Sequence, residues 1–190
     1  MRAPLEAVVV GASAGGVEAL MNLFDALPAD YRLPLVCMLH MPESGDNLLV
    51  ELLARRVALP VKEAEDKERL RGGVLYVAPA GYHLSIEMDR SFSLSREVPR
   101  HFSRPSIDIL FESAADAYGA GLAGALLTGA NEDGAAGLLA IARAGGLTLV
   151  QTPSDAQVRT MPEAALALLQ PDFLLPIDAM RTLLAELDAP

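Results

Sequence analysis

A short run near the start of the chain, VVVGASAGG at residues 8–16, constrains the fold more than any other stretch. Its β-branched, uncharged beginning predicts a strand that is buried on both faces. Small residues on each side of Ser13 let the backbone turn sharply into a helix, which would leave Ser13 exposed beside the free N–H groups of the helix N-terminus. Three interpretations fit: the nucleophile elbow of a hydrolase, the phosphate cradle of a nucleotide-binding unit, or tight packing alone.

The length and composition indicate one domain, residues 1–190, because 190 residues that are 52% hydrophobic can bury a sizeable core. The net charge of −10, without a basic stripe, argues against nucleic acid and anionic membrane surfaces as partners. No long apolar segment precedes the first strand, so we expect a cytoplasmic protein with neither signal peptide nor transmembrane span. The single cysteine, Cys37, lies in an apolar run and should be a buried thiol, and no His or Cys pair has a metal-ligand interval.

The remaining segments alternate between strand-like and helical patterns. This alternation predicts a three-layer, doubly wound α/β domain of the Rossmann-like type, with a mainly parallel sheet and a small antiparallel hairpin. We expect strands at 8–10, 35–39, 74–79, 122–127, 147–150 and 173–175, an edge strand within 61–69, and a hairpin from 82–88 and 91–95. We expect helices at 16–27, 46–57, 107–118, 135–144, 162–169 and 177–187, and loops at 96–105 and 151–160.

Local patterns add three expectations. Ser106 is a plausible N-cap for the helix that begins at residue 107. His83 lies in the hairpin, where a structural or surface role is expected. The helix at 46–57 should turn four leucines toward the core, at positions 48, 49, 52 and 53.

Three polar side chains follow strands of the predicted sheet. The first strand, first helix and second strand form a βαβ unit, so Ser13 and His40 should emerge at the same sheet edge, and Asp133 follows a third strand and a Gly-containing turn. A serine hydroxyl needs an imidazole to take its proton, and the imidazole needs a carboxylate to fix its tautomer. The spacing therefore predicts a Ser13–His40–Asp133 relay, although Asp133 could instead cap a helix and His40 could be a strand-end histidine.

Several ordered motifs between about residues 6 and 188 carry a family resemblance. The chain resembles the catalytic domain of the bacterial chemotaxis receptor methylesterases, the CheB family, in GASAGG at 11–16, HMP at 40–42, VKEAED at 61–66, YVAP at 76–79, RPSID at 104–108 and LTGANEDG at 127–134.

The resemblance implies hydrolysis of glutamate γ-methyl esters on the cytoplasmic helices of chemoreceptors, with release of methanol, and deamidation of receptor glutamines. It implies that Ser13 is the nucleophile, that His40 acts as general base and then acid, and that Asp133 orients His40. It also implies that the backbone N–H groups of Ala14 and Ala130 stabilise the oxyanion. We expect neither a cofactor nor a metal.

The chain departs from the family pattern beside the expected cleft. Ala14 stands where the family usually has threonine. Ala130 and Asn131 replace a methionine and a glycine, so Asn131 must adopt either a left-handed conformation or a different turn. Residues 43–47 lack the usual aromatic and threonine residues. Most family members also carry an N-terminal receiver domain, which this chain lacks, so we expect either a fragment or a free-standing enzyme whose regulator is a separate receiver domain or a sensor kinase.

Two other functions compete with the esterase. In the first, the altered cleft belongs to a binding module whose esterase activity is weak or lost. In the second, the glycine-rich turn binds a nucleotide, but the third glycine of the dinucleotide fingerprint and an acidic residue at the end of the second strand are both missing. Because receptor helices are rich in glutamate and the chain is itself acidic, docking must rely on local contacts. The candidate basic contacts are Arg55, Arg56, Arg100 and Arg104.

Overall fold

The structure is a computed structural model that describes residues 3–41 and 48–188. In this part of the chain the strands are β1 (Ala7–Ala12), β2 (Leu35–Leu39), β3 (Val61–Glu63), β4 (Leu75–Val77), β5 (His83–Ile86), β6 (Phe92–Ser95), β7 (Leu122–Leu126), β8 (Leu147–Gln151) and β9 (Phe173–Leu175). The α-helices are α1 (Gly16–Phe24), α2 (Leu48–Ala54), α3 (Ile107–Tyr118), α4 (Ala135–Arg143), α5 (Thr160–Leu168) and α6 (Ile177–Glu186).

One parallel sheet organises the domain. Its strand order is β3-β4-β2-β1-β7-β8-β9, and β5 and β6 form a separate antiparallel pair. This arrangement confirms the predicted three-layer α/β fold with its small hairpin. Consecutive strands joined by helices favour this parallel pairing because a right-handed crossover returns the chain to the same sheet edge.

Each face of the sheet has its own core. Val8 and Val10 pack with α1, α2 and α6, whereas Val9 packs on the opposite face with α3, α4, α5 and the hairpin. All six residues of β1 are buried, which confirms the strand predicted from its uncharged, β-branched sequence. The Cys37 thiol is also fully buried, as predicted, and burial raises its pKa to about 12.

The strand order reverses at β1. The chain passes from β1 to β2 on one side, and β7 later pairs with the other side of β1. In open parallel sheets, ligand sites form at such a switch point, beyond the carboxyl ends of the strands. The segments that follow β1, β2 and β7 carry Ser13, His40 and Asp133, respectively.

Helix boundaries differ from the sequence expectations in a few places. Helix α1 ends at Phe24 rather than at residue 27, and α5 begins at Thr160 rather than at residue 162. In α2, Leu49 and Leu53 are buried as predicted, but Leu48 is 61% exposed and Leu52 is also exposed. Residues four apart share one helix face, so the 49/53 pair and the 48/52 pair cannot both face the core of a short helix. The predicted start of this helix at 46–47 lies outside the described residues.

None of the helices in the described ranges combines the length and apolar character needed to cross a membrane.

Candidate active site

The turn that carries Ser13 lies directly after β1. Gly15 has φ 79° and ψ 0°, the values of the third residue of a type II turn, and the Gly16 N–H closes the turn by donating to the Ser13 carbonyl at 2.7 Å. A Cβ on Gly15 would stand 2.6 Å from Gln157 Oε1, and one on Gly16 would stand 2.5 Å from Leu39 Cδ1. Gly15 is therefore favoured by the local backbone and by close packing, and Gly16 by close packing alone.

The three predicted site residues form one hydrogen-bonded chain. Ser13 Oγ lies 3.1 Å from His40 Nδ1, and His40 Nε2 lies 2.7 Å from Asp133 Oδ2. Asp133 is fully buried and His40 is largely buried, so this contact lies in a low-dielectric environment. An ionised Asp133 can only accept hydrogen bonds, so Nε2 carries the imidazole proton and Nδ1 offers its lone pair to the Ser13 hydroxyl.

The carboxylate of Asp133 sits on the N-terminus of α3. Oδ2 accepts the Ile107 N–H at 2.6 Å, and Oδ1 accepts the Asp108 N–H at 3.0 Å and the Ser106 hydroxyl at 2.8 Å. Burial acts to raise the Asp133 pKa, but the hydrogen bonds from His40 and from the start of α3 together hold it below its ordinary value. Asp133 therefore stays ionised at neutral pH.

The prediction that Ser106 is the N-cap residue of α3 is confirmed, although its side chain makes no capping hydrogen bond to the helix. Ser106 occupies the N-cap position, but its hydroxyl donates to Asp133, and the carboxylate of Asp133 receives the orphan N–H groups of the first turn. A carboxylate is favoured at this point of the helix dipole. The alternative role predicted for Asp133, a helix cap, is thus present as well, on α3 rather than on the helix that follows it.

A second buried aspartate, Asp108, caps the N-terminus of α4 in the same way. Asp108 Oδ1 accepts the N–H groups of Gly134 and Gly137 at 2.9 and 2.7 Å, and its Oδ2 lies 3.0 Å from His101 Nε2. Burial, together with the nearby negative charge of Asp133, raises the pKa of Asp108 despite the opposing hydrogen bond from Gly137. Asp133 precedes α4 and caps α3, whereas Asp108 lies in the first turn of α3 and caps α4, so the two carboxylates join the N-termini of both helices.

The altered acid loop adopts a turn that does not need glycine. Asn131 is not among the described residues with positive φ, and its Oδ1 accepts the N–H of Asp133 at 3.1 Å. Of the two conformations expected for Asn131, the structure therefore shows the different turn, of the type in which an asparagine side chain binds the backbone two residues on. The replacement of glycine leaves Asp133 in contact with His40.

The peptide groups before Ala14 and Ala130 are both held in place. The Ser13 carbonyl accepts the Gly16 N–H, and the Gly129 carbonyl accepts the Met161 N–H at 3.0 Å. Because a trans peptide is planar, each of these bonds also orients the N–H on the other side of the same peptide, which belongs to Ala14 or Ala130. Among the described residues, neither of these two N–H groups donates a hydrogen bond.

His40 lines two of the cavities found in the described part of the chain. One, of about 590 Å³, lies beside Ser13 and is lined largely by apolar side chains such as Val17, Met21 and Met41. The other, of about 320 Å³, includes Ser103. Val17, in the first turn of α1, is exposed and lines the first cavity.

The four candidate arginines differ in position. Arg56 lines the cavity beside Ser13, where its Nε lies 3.8 Å from Asp25, and Arg104 lines the second cavity. Arg100 makes a bidentate ion pair with Glu112 on α3, and Arg55 lies 3.9 Å from Glu51 on α2. Only the first two of the four therefore border the site.

One group of potential metal ligands comes together in the described residues, although the sequence spacing suggested none. His101, Asp108 and Asp133 place ligand atoms within 4.8 Å of one another. The oxygens of both carboxylates already accept hydrogen bonds from the backbone or from histidine. The group therefore serves as a helix-capping network.

Sequence reasoning missed several residues that support the site. Thr128 accepts the Val158 N–H through its hydroxyl at 2.9 Å and donates to the Ala14 carbonyl at 2.8 Å, while Gln151 Oε1 accepts the Thr128 N–H at 2.9 Å. Thr128 and Gln151 are almost fully buried, and a buried polar side chain at the end of a central strand is the signal that could have identified them. His83 is buried and has the structural role expected of it.

Comparison with known proteins gives one consistent family. The CheB methylesterase family profile matches residues 8–184. A protein-glutamate methylesterase/protein-glutamine glutaminase of Clostridium acetobutylicum is 37% identical over 174 residues, which are 92% of this chain and 50% of that protein. A Leptospira interrogans protein, provisionally named for the same two activities, is 42% identical over 183 residues, which are 96% of this chain and 95% of that protein.

A solved structure matches over nearly the whole chain. The crystal structure of the Thermotoga maritima CheB methylesterase catalytic domain superposes with a TM-score of 0.92 at 29% identity, and the match covers 97% of this chain and 100% of that one. The chain thus spans the catalytic domain of that protein and about half the length of the Clostridium relative.

Proposed function

Because the chain belongs to the CheB methylesterase family, we propose that it hydrolyses glutamate γ-methyl esters on chemoreceptors and releases methanol, with Ser13 as nucleophile. The observation that carries this proposal is the continuous contact from Ser13 Oγ to His40 Nδ1 and from His40 Nε2 to Asp133. A hydroxyl, an imidazole and a buried carboxylate in this order are what acyl transfer to serine requires.

The contacts define how the proton moves. Ser13 Oγ attacks the ester carbonyl carbon while its proton passes to His40 Nδ1, and the ionised Asp133 stabilises the imidazolium through Nε2–H. Collapse of the tetrahedral intermediate breaks the bond to the methoxy oxygen, which takes the proton from Nδ1 and leaves as methanol. Water then repeats the sequence on the acyl-serine and yields a glutamate carboxylate and free Ser13.

The oxyanion is assigned to the N–H groups of Ala14 and Ala130. Support comes from the hydrogen bonds that orient their two peptides, from Gly16 and from Met161. Donors that are fixed before the reaction need no reorganisation when charge develops on the carbonyl oxygen. The hydroxyl of the family's usual threonine side chain is not needed for either donor, since both belong to the backbone.

The apolar cavity beside Ser13 suits the methylene groups and methyl ester of the substrate, and Arg56 at its lining offers one local positive charge to an acidic receptor helix. The same His40 Nδ1 can protonate an amide leaving group, so receptor glutamine is the second proposed substrate. Chemoreceptor helices with these side chains lie in the cytoplasm, which we propose as the place of action. A separate receiver domain or sensor kinase is the proposed regulator.

The test is methanol release from methyl-esterified chemoreceptor cytoplasmic fragments. We expect release by the wild-type protein and none by Ser13→Ala, with unchanged release by Ser95→Ala, whose hydroxyl lies on β6 and accepts the Glu97 N–H. Circular dichroism of all three proteins checks the fold. A correctly folded wild-type protein that releases no methanol from any receptor fragment would favour the binding-module alternative.

A further inference from the structure

A second serine reaches the nitrogen that is proposed to move the proton. Ser103 Oγ lies 3.5 Å from His40 Nδ1, the same atom that Ser13 Oγ approaches to 3.1 Å. Ser103 belongs to the loop between β6 and α3, whose sequence shows no pattern that points to a functional residue. Its hydroxyl faces the cavity of about 320 Å³ that also contains His40 and Met41.

The backbone that presents Ser103 is strained. Arg100 and Ser103 exchange N–H···O bonds of 3.1 and 2.9 Å across a two-residue loop, and both central residues have positive φ, 50° at His101 and 60° at Phe102. This is the pattern of a type I′ turn, which favours Asn and Gly because a Cβ in the left-handed region lies too close to the following carbonyl oxygen. Such strain is found where surrounding contacts impose it, often at functional sites.

Ion pairs to α3 impose this conformation. Arg100 holds Glu112 through two bonds of 2.8 and 2.9 Å, and His101 contacts the buried carboxylate of Asp108. His83 also holds the loop in place, because its Nδ1 accepts the Ser106 N–H at 3.2 Å and its Nε2 donates to the Val98 carbonyl at 3.0 Å. The loop is therefore fixed against the helix whose first turn holds Asp133.

Hydrolysis of the acyl-serine in the proposed reaction needs a water molecule beside His40 Nδ1. After methanol has left, a water oxygen must lie within hydrogen-bond distance of Nδ1 and close to the carbonyl carbon of the acyl-serine. One of its protons is taken by Nδ1, and the other needs an acceptor. A hydroxyl can supply that acceptor, and the cavity around Ser103, whose lining includes the polar side chains of Ser103 and His40, has room for water.

We propose that Ser103 is a further catalytic residue that binds and aims the hydrolytic water, an inference that rests on the proposed esterase function. Ser103 Oγ accepts one hydrogen of the water while His40 Nδ1 removes the other. The water oxygen bonds to the acyl carbon, the bond from that carbon to Ser13 Oγ breaks, and Ser13 Oγ takes the proton back from Nδ1.

Ser103 is a poor candidate for the nucleophile itself. It lies farther from Nδ1 than Ser13 does, and its own N–H donates to the Arg100 carbonyl inside the turn. Ser13, in contrast, adjoins the oriented N–H of Ala14. The two hydroxyls therefore divide the reaction, with Ser13 forming the acyl intermediate and Ser103 acting in its hydrolysis.

The test separates acylation from hydrolysis of the acyl intermediate. The wild type, Ser103→Ala, Ser103→Thr and the control Ser95→Ala are mixed with methyl-esterified receptor fragment. Methanol is measured over time, and acid-quenched samples are resolved on denaturing gels, where the acyl intermediate appears as a covalent adduct of the two chains. For Ser103→Ala we expect a methanol burst of about one equivalent per chain, an accumulating adduct and steady turnover reduced about tenfold, the effect of losing one water-positioning hydrogen bond.

Ser103→Thr keeps a hydroxyl and should hydrolyse its adduct at close to the wild-type rate, as should Ser95→Ala. The inference is overturned if Ser103→Ala hydrolyses its adduct as fast as Ser95→Ala, or if it loses the burst and the steady turnover together. Failure of the wild-type protein to release methanol would overturn the proposed function along with it, so the two failures are distinguishable.

Discussion

Two turns each place a serine hydroxyl beside His40, and different interactions fix their backbone conformations. We call residues 13–16 the Ser13 turn and residues 100–103 the Ser103 turn. The Ser13 turn places a glycine, Gly15, at its positive φ, so its conformation is encoded locally. The Ser103 turn has His101 and Phe102 at positive φ and depends on ion pairs with side chains of α3, the next helix in the chain. Similar placement of a hydroxyl can therefore come from local backbone preference or from tertiary contacts that override it.

The largest expected effect comes from removing the charge of the Asp133 carboxylate, which contacts His40. Asp133→Asn should lower kcat for methanol release by about 10³-fold, because the amide disturbs the His40 tautomer and no longer stabilises the imidazolium. Progress curves with a saturating receptor fragment measure this change. Asp116→Asn, an exposed carboxylate on α3, is the matched control. A kcat for Asp133→Asn within a few fold of the control would contradict the assignment.

Stability should depend on the same carboxylate in a pH-dependent way. The Asp133 pKa is lowered in the folded chain, so its stabilising contribution is complete above the unfolded value of about 3.9 and is lost as the pH falls through the folded value. At pH 7 we expect Asp133→Asn to reduce the free energy of unfolding by about 2 kcal/mol. Urea titrations from pH 7 down to 3 should show that the difference in free energy of unfolding between the wild type and Asp133→Asn shrinks below about pH 3.9. A difference in the free energy of unfolding that grows on acidification would contradict the lowered pKa of Asp133.

Adding a Cβ to the Ser13 turn should destabilise it. Gly15→Ala combines an unfavourable φ of 79° with a contact to Gln157, whereas Gly145→Ala has φ 84° with its nearest atom 3.5 Å away. We expect a loss of about 1–2 kcal/mol at Gly145, the left-handed penalty alone, and a larger loss at Gly15. Thermal and urea unfolding of both variants give the comparison. Equal losses would show that Gln157 moves aside freely.

Removing a Cβ from the Ser103 turn should have the smallest effect on stability, and this effect should be an increase. The Phe102 side chain is fully exposed, so Phe102→Gly loses no packing, and relief of the left-handed penalty slightly exceeds the added entropy of the unfolded chain. We expect a gain of about 0.5 kcal/mol in the free energy of unfolding. Val98→Gly, an exposed residue of the same loop without positive φ, should instead lose stability. Similar losses of stability in Phe102→Gly and Val98→Gly would contradict backbone strain at Phe102.

These regions also show how far sequence can predict this molecule. The parallel sheet and the sites of Ser13, His40 and Asp133 follow from local signals, namely apolar runs, glycine turns and the rule that parallel strands end at one edge. The N-cap position of Ser106 was predicted, but the capping of α3 by Asp133 was not, because Asp133 reaches that helix from a different part of the chain. Ser103 was not identified, since its position depends on Glu112 and Asp108, which no local pattern links to it.

The most direct test of the account is to identify which serine carries the acyl group. The adduct that accumulates between the Ser103→Ala protein and methyl-esterified receptor fragment can be acid-quenched, digested and mapped by mass spectrometry, which identifies the acylated residue. The account predicts the glutamyl acyl group on Ser13. The absence of any adduct in Ser103→Ala, or an acyl group on a residue other than Ser13, would contradict both the proposed nucleophile and the division of roles between the two turns.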